Sequence, residues 1–221
     1  MANKSQILSD GHKEKIRSQI ISGARNYKKQ LMDKVFLIVC EDGIEYEVRF
    51  FKGDYKHLTG IYSNLSDDDF FEYCVSGKID KGNIDTQQKY DWGTLKKKGR
   101  IIQNIHELLY KDDQKTLLLE ALYTNTYVFP VAIKDIANDI CVGFVSNIHK
   151  ARSLRRAKNS TNAKAEKRII AVLAKKNGEN VYGELVYLSS IRGVYEKNEA
   201  LLEKMDDSVM MRFMEILTRP D

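Results

Sequence analysis

Residues 46–61 read YEVRFFKGDYKHLTGI, and the other predicted elements are described from this stretch outward. Tyr46, Val48 and Phe50 alternate with other residues, which predicts a strand because successive side chains of a strand point to opposite faces. The stretch ends in residues 56–60, KHLTG, which bring an ammonium, an imidazole, a hydroxyl and a glycine together. Functional groups are often carried by loops on a rigid scaffold, so this turn is interpreted as a catalytic or ligand-binding loop. An ordinary strand exit with a surface histidine is the alternative.

The elements before this stretch are a helix and a strand. Apolar residues recur every three or four positions between residues 16 and 31, which predicts an amphipathic helix that Ser9 or Asp10 can cap. Asp42-Gly43 then separates two apolar runs. Asp-Gly between such runs is typical of a hairpin, so strands near 34–40 and 44–52 should pair antiparallel.

The segment after the KHLTG turn reads first as helical. Ser66, followed by three aspartates, predicts a capped helix that ends at Gly77, because the carboxylates oppose the positive helix N-terminus. Thr94 begins a second predicted helix, whose apolar residues continue at helical spacing through Leu117–Leu122. The cations near its start, Lys96, Lys97, Lys98 and Arg100, are typical of a solvated helix face and could also reach a phosphate.

The last third of the chain predicts strands and a final helix. Residues 127–133 and 139–146 read as two strands, with Pro130 indicating an edge position or a bulge. Residues 168–174 and 181–189 read as a hairpin about Asn177-Gly178. Leu201, Leu202, Met205, Val209, Met210, Phe213, Met214 and Leu217 form an apolar helical stripe over residues 198–218.

Together these elements predict one α+β domain over residues 1–221. We expect a mainly antiparallel sheet of about six strands, flanked by N-terminal, middle and C-terminal helices. A length of 221 residues with 43% hydrophobic residues is enough for a sizeable core.

Several classes of protein are disfavoured by the sequence. Cys40, Cys74 and Cys141 are far apart and show no zinc-ligand spacing with the four histidines, so we expect reduced thiols, no metal and no cofactor. Walker loops, dinucleotide fingerprints, nucleophile elbows and HExxH motifs do not occur. The polar N-terminus and the lack of a long apolar run predict a cytoplasmic protein without a membrane span.

The positive charge is concentrated in one segment. Residues 146–176 contain ten Lys and Arg residues against one acid, Glu166. A basic segment of this kind is typical of a protein that binds a polyanion, most often nucleic acid. A solvated loop is the alternative.

The KHLTGI motif, placed between the strand and the Phe-rich helix, resembles the phage-type barnase, EndoU, colicin and RelE-like nucleases. The resemblance covers about residues 46–109. It implies a compact sheet flanked by helices and a metal-independent ribonuclease activity, often in toxins of phages or mobile elements. By this motif it implies a functional role for His57, Lys56 and Thr59.

The chemistry of RNA cleavage fits these residue types. A histidine can exchange protons near neutral pH, and a guanidinium matches phosphate oxygens and stays protonated. We therefore predict a catalytic group of His57, Lys56, Thr59, Arg152 and Ser153. Contacts to RNA are predicted for His149, Lys150, Arg155, Arg156, Lys158, Lys167 and Arg168, with His149 or Ser153 as a possible second hydrogen-bonding or proton-transfer group.

The predicted partners are RNA or another nucleic acid and a protein antitoxin or inhibitor. Two other functions remain open at this point. One is a non-catalytic nucleic-acid-binding protein with a structural His57. The other is a phage or mobile-element protein that binds and inhibits a protein partner through the Met-rich C-terminal helix.

Overall fold

The computed structural model describes residues 8–86, 91–110, 116–145, 149–188 and 199–217. The predicted elements that extend into residues 111–115, 146–148, 189, 198 and 218 therefore lie partly outside the described residues. The α-helices within these ranges are α1 (Asp10–Gln30), α2 (Tyr55–Thr59), α3 (Asp67–Ser76), α4 (Trp92–Gln103), α5 (Glu107–Tyr110), α6 (Glu199–Leu202) and α7 (Asp207–Leu217).

Ten strands accompany these helices in the described part of the chain. They are β1 (Lys34–Cys40), β2 (Glu45–Arg49), β3 (Ile61–Tyr62), β4 (Asp85–Thr86), β5 (Thr116–Tyr123), β6 (Val128–Asp135), β7 (Ile140–Val145), β8 (Lys150–Arg155), β9 (Ala163–Lys176) and β10 (Glu184–Leu188).

Seven of these strands form a closed, mixed β-barrel. Their order is β1-β2-β8-β7-β6-β5-β9, and β9 pairs back with β1; β10 adds to β9, while β3 and β4 form a separate small sheet. The β2–β8 pair is parallel and the other neighbours in the ring are antiparallel. The prediction of a mainly antiparallel sheet of about six strands is therefore wrong.

Strand β9 is the physical reason for the closure. Its first half, residues 163–168, pairs with β5, and its second half, residues 169–176, pairs with β1. The register shifts between Val39 and Cys40 of β1, and such an irregularity bends a strand. One long strand thus joins the two ends of the sheet, which the pattern of a single segment does not reveal.

The second correction concerns the helical stripe predicted after Thr94. Helix α4 ends at Gln103 and α5 at Tyr110, whereas Leu117–Leu122 belong to β5. Leu118 and Leu119 contribute to different apolar clusters on opposite faces of this strand. A run of consecutive leucines does not distinguish a helix from a strand that is buried on both faces. The predicted C-terminal helix likewise divides into α6 and α7.

Other predicted elements are confirmed. Ser9 caps α1 by accepting a hydrogen bond from the backbone of His12, and Ser66 caps α3 through Asp69. The hairpins β1–β2, β6–β7 and β9–β10 are antiparallel. Pro130, predicted for an edge or a bulge, lies in the inner strand β6, at a position missing from the pairings of β6 with β5 and β7.

The main core lies between the barrel and the first five helices. Each ring strand contributes buried side chains to it, and so do α1 to α5. Burying a large apolar side chain contributes roughly 1.5–3 kcal/mol, so this shared core holds the helices on the barrel. Representative strand residues are Phe36, Val48, Leu118, Val131, Val142, Leu154 and Val172.

A smaller cluster holds the C-terminal helices. Leu201, Val209 and Phe213 pack with Leu37 and Leu173, on the faces of β1 and β9 that do not contribute to the main core. The three cysteines are buried free thiols. Among the described helices, none combines the length and the apolar character that a membrane crossing requires.

Candidate functional site

The KHLTG sequence forms the short helix α2, which packs against β8. Gly60 ends the helix with a φ of 73°, a left-handed conformation that favours glycine. Thr59 is 2% exposed, and its hydroxyl donates to the Lys56 carbonyl at 2.7 Å and accepts from the backbone N–H of Ile61 at 3.2 Å. Thr59 and Gly60 therefore shape the end of α2.

His57 is held by the first turn of α3. Its Nε2 atom lies 3.2 Å from Oδ2 of Asp67, and about a third of its side chain is exposed. The ammonium of Lys56 lies 3.3 Å from the other carboxylate oxygen of Asp67 and donates to the Leu65 carbonyl at 2.5 Å. Asp67 thus connects the two basic residues of the motif.

The environment of His57 favours the neutral imidazole. Burial lowers the pKa of His57, and the positive charge of Arg152 lowers it further, while Asp67 acts in the opposite direction. Arg152 is an exposed residue of β8. The packing of α2 against β8 brings these two parts of the chain together, although about a hundred residues separate them in sequence.

Asp54, the residue before α2, is a buried carboxyl group. Burial raises the pKa of Asp54 from 3.8 to about 6, although a hydrogen bond from Phe51 and the charges of Lys150 and Arg152 oppose the rise. The hydrogen bond from the backbone N–H of Phe51 is 3.2 Å long. Asp54 therefore fixes the backbone just before α2. Its carboxyl group also interacts electrostatically with Lys150 and Arg152 of β8.

A cleft with a volume of about 260 Å³ lies between α4 and β8. Its walls include Lys97 and Lys98 from α4, and Ser153 and Arg155 from β8. The ammonium of Lys98 also donates to the Leu58 carbonyl at 3.3 Å, which connects α4 to α2. The remaining lining residues are Thr94, Ile101, Leu154, Arg156 and Asn159.

Other residues of the predicted RNA-binding set have different surroundings. Arg156 forms an ion pair with Asp139, and the ammonium of Lys167 lies 2.7 Å from Asp42 and 2.8 Å from Glu120. Lys167 and Arg168 are on β9, which is not a neighbour of β8 in the barrel. The positive residues 150–168 therefore do not form one continuous strip.

Two more predicted contacts are near the ends of β8. Nδ1 of His149 is 3.0 Å from the Glu47 carbonyl, and His149 has a φ of 42°. The side chain of Lys158 is exposed beyond the other end of the strand. The structure thus packs α2, with His57, against β8, with Lys150 and Arg152, and places Ser153, Arg155 and Arg156 in the cleft between β8 and α4.

The sequence-based site did not include Asp54, Asp67, Lys97 or Lys98. Asp67 was interpreted as a helix-capping charge, and it lies in the first turn of α3 as predicted. Besides its place in the first helical turn, Asp67 contacts His57, and the sequence signal for this contact is an acidic run that begins ten residues after His57. No group of three or more His, Cys, Asp or Glu side chains positioned for a metal ion occurs in the described ranges.

A histidine–carboxylate pair beside exposed guanidinium and ammonium groups is typical of a site for phosphate-containing molecules. The mixed barrel presents this site at the edge of α2 and β8. Residues 19–190 match the family described as phage-Barnase-EndoU-ColicinE5/D-RelE like nuclease4, and the chain belongs to this family.

The family match confirms the resemblance inferred from the KHLTGI motif and extends it well beyond residues 46–109. It defines a phage-type nuclease family and therefore implies a nucleic acid as substrate. No curated protein and no solved structure matches the chain.

Proposed function

We propose that the protein is a metal-independent endoribonuclease in which His57 accepts a proton and Arg152 binds the scissile phosphate. The observation that carries this proposal is the contact of His57 with Asp67, together with the packing of α2, which bears His57, against β8, which bears Arg152. A base beside a fixed cation is what RNA cleavage through the ribose 2′-hydroxyl requires.

Asp67 determines which nitrogen of His57 can act as the base. A carboxylate accepts hydrogen bonds, so the proton of the neutral imidazole is assigned to Nε2, which faces Asp67. Nδ1 then carries the free lone pair. The lowered pKa of His57 keeps this lone pair available at neutral pH.

The proposed reaction is an internal transesterification of RNA. Nδ1 of His57 takes the proton of the 2′-hydroxyl, the 2′-oxygen bonds to phosphorus, and the bond from phosphorus to the 5′-oxygen breaks. The products are a 2′,3′-cyclic phosphate and a 5′-hydroxyl, whose proton comes from solvent; solvent also takes the proton from the imidazolium. Arg152 stabilises the charge that develops on the phosphate oxygens.

The other predicted residues have supporting roles in this proposal. Lys56 and Thr59 hold α2 and its neighbouring loop, because their polar groups are bonded locally. Lys150 adds positive charge next to Arg152, whereas Ser153, Arg155 and Arg156 face the substrate beyond the scissile bond. His149, Lys158, Lys167 and Arg168 are assigned to the general positive field and not to the cleavage step.

Cleavage of end-labelled RNA in the presence of a chelator tests this function. The wild-type protein should produce fragments with 2′,3′-cyclic phosphate ends, and the same sequence with 2′-deoxyribose at the cleaved position should stay intact. Cleavage that requires a divalent cation, or cleavage of the deoxy substrate, would contradict the mechanism. Salt-sensitive binding without cleavage would indicate a non-catalytic nucleic-acid-binding protein.

The proposal includes a toxin-like role in the cytoplasm, held in check by a protein inhibitor. Expression of the wild-type protein should arrest bacterial growth and fragment cellular RNA, whereas His57→Ala should do neither. Growth arrest by both proteins would indicate a toxic effect that is independent of cleavage. The proposal assigns no surface to the inhibitor.

A further inference from the structure

The cleft between α4 and β8 differs from the His57 site in what lines it. Lys97 and Lys98 line the cleft on the α4 side. Arg155, the last residue of β8, and Arg156, the next residue, line it on the opposite side. None of the lining residues is acidic. Arg156 forms an ion pair with Asp139, which reduces the positive charge that Arg156 adds to the cleft. Lys97 is exposed, and no ion pair joins Arg155 to another described residue.

The cleft is also connected to the proposed catalytic residues. Arg152 and Ser153 are consecutive on β8, and the strand has a register shift against β7 at this point. Ser153 lines the cleft and Arg152 does not, while the charge of Arg152 acts on His57. Lys98 reaches from the cleft to the carbonyl of Leu58, the residue that follows His57.

The size and lining of the cleft limit what it can hold. Its volume of about 260 Å³ is below the roughly 300–1,000 Å³ typical of sites for drug-sized ligands. Ile101 and Leu154 provide an apolar wall, and Thr94 and Asn159 provide neutral hydrogen-bonding groups. A single nucleotide unit combines the negative charge, the flat apolar base and the polar edges that these walls match.

We propose that this cleft is a subsite for the nucleotide next to the scissile bond, with the phosphate of that nucleotide bound by Lys97 and Arg155. The inference rests on the proposed function, because it places this nucleotide beside His57 and Arg152. Because of this subsite, kcat/KM should be higher for a substrate with an additional neighbouring phosphate than for a dinucleoside monophosphate.

The first test compares a dinucleoside monophosphate with the same molecule carrying one extra phosphate at its 5′ end or at its 3′ end. One of the two additions should raise kcat/KM of the wild-type protein by about tenfold or more, as expected for charge-assisted hydrogen bonds. In the double variant Lys97→Ala, Arg155→Ala this gain should fall below about twofold. The control Lys164→Ala, Lys176→Ala removes two exposed charges from β9 and should retain the gain.

The second test measures binding without cleavage. A single-stranded DNA oligonucleotide lacks the 2′-hydroxyl, so its affinity can be followed by fluorescence anisotropy over a range of salt concentrations. Loss of one phosphate contact should reduce the slope of log K against log salt by about 0.7 in the Lys97→Ala, Arg155→Ala variant. The β9 control should keep the wild-type slope.

The two tests separate the subsite from the proposed function. If no RNA is cleaved but the slope falls in the cleft variant alone, the ribonuclease proposal fails, and of the subsite only the binding of a nucleotide phosphate by Lys97 and Arg155 is supported. If RNA is cleaved but neither added phosphate raises kcat/KM, or the cleft variant keeps the full gain, the subsite is overturned. Thermal unfolding followed by circular dichroism shows whether each variant is folded.

Discussion

Nε2 of His57 lies 3.2 Å from Oδ2 of Asp67, so the imidazole on α2 is oriented by the first turn of α3. Arg152 approaches from β8 and affects the same imidazole with the opposite sign. The protonation of His57 is therefore set by two residues from different elements, and each can be changed separately.

Replacing His57 should remove catalysis and leave binding in place. A general base contributes typically 10²- to 10⁴-fold, so His57→Ala should lose about that factor in kcat on a labelled RNA. Its affinity for a non-cleavable oligonucleotide should remain close to that of the wild type. His12→Ala is the matched control, because His12 lies at the start of α1, where it stacks on Trp92, and it should keep full activity. Equal activity of His57→Ala and wild type would exclude His57 as the base.

Replacing Asp67 should shift the pH profile downward. Asp67 raises the pKa of His57 against the effects of burial and Arg152, so Asp67→Asn should lower this pKa. The acid limb of kcat/KM reports the base of the free enzyme and should move to lower pH, with a reduced plateau because the imidazole is less well oriented. Asp68→Asn removes a carboxylate from the same helix turn and should leave the limb unchanged.

Replacing Arg152 should shift the same limb in the other direction. The guanidinium lowers the pKa of His57, so Arg152→Gln should raise this pKa and move the acid limb to higher pH. Binding of single-stranded RNA should weaken, and the salt dependence should lose about 0.7 in slope for one phosphate contact. Arg152→Lys keeps the charge and should preserve the position of the limb. A downward shift in Arg152→Gln would contradict the arrangement.

The end of α2 should matter for stability more than for chemistry. Gly60 has a positive φ, so Gly60→Ala should destabilise the fold by about 1 kcal/mol. Thr59→Val leaves the N–H of Ile61 without its hydroxyl acceptor and should cost about 1–3 kcal/mol. Gly11→Ala, where an added Cβ meets no atom within 4 Å, is the control. Denaturant unfolding measures the cost, and activity per folded molecule should remain near that of the wild type.

Asp54 should make stability depend on pH. Its folded pKa is raised from 3.8 to about 6, so its favourable contribution is complete below about pH 4 and is lost as the pH rises through 6. Asp54→Asn should therefore gain stability relative to wild type across this window, by on the order of 3 kcal/mol, because one pKa unit corresponds to about 1.4 kcal/mol. Urea unfolding at pH 4 and pH 7 measures this difference. A constant difference at both pH values would contradict a buried titrating carboxyl group.

Local sequence patterns were sufficient for most individual elements. Asp42-Gly43 predicted the β1–β2 hairpin, and Ser66 with its aspartates predicted α3, because turns and caps depend on a few neighbouring residues. The leucines of β5 were misinterpreted, since the pairing of this strand with β6 and β9 determines its conformation. The barrel was missed for a related reason: its closure depends on the two halves of β9 having different partners.

The candidate site was predictable only where a motif or a charge cluster marked it. The KHLTGI motif points to His57 and the basic segment to Arg152, and these residues lie on α2 and β8, which pack against each other. Asp67 gives no separate signal, and Lys97 is only one of four cations that could reach a phosphate, because acids in a first helical turn and lysines along a helix are common in stable helices. Their relation to His57 and β8 becomes apparent only in three dimensions.

The parallel joint between β2 and β8 consists of one paired position, Arg49 with Lys150, in the described part of the barrel. His57 follows β2 in the chain, but its helix α2 packs against β8, the strand that carries Lys150 and Arg152. The packing of α2 on β8 therefore keeps the proposed base and the proposed phosphate ligand on one support, although the backbone pairing between β2 and β8 is short.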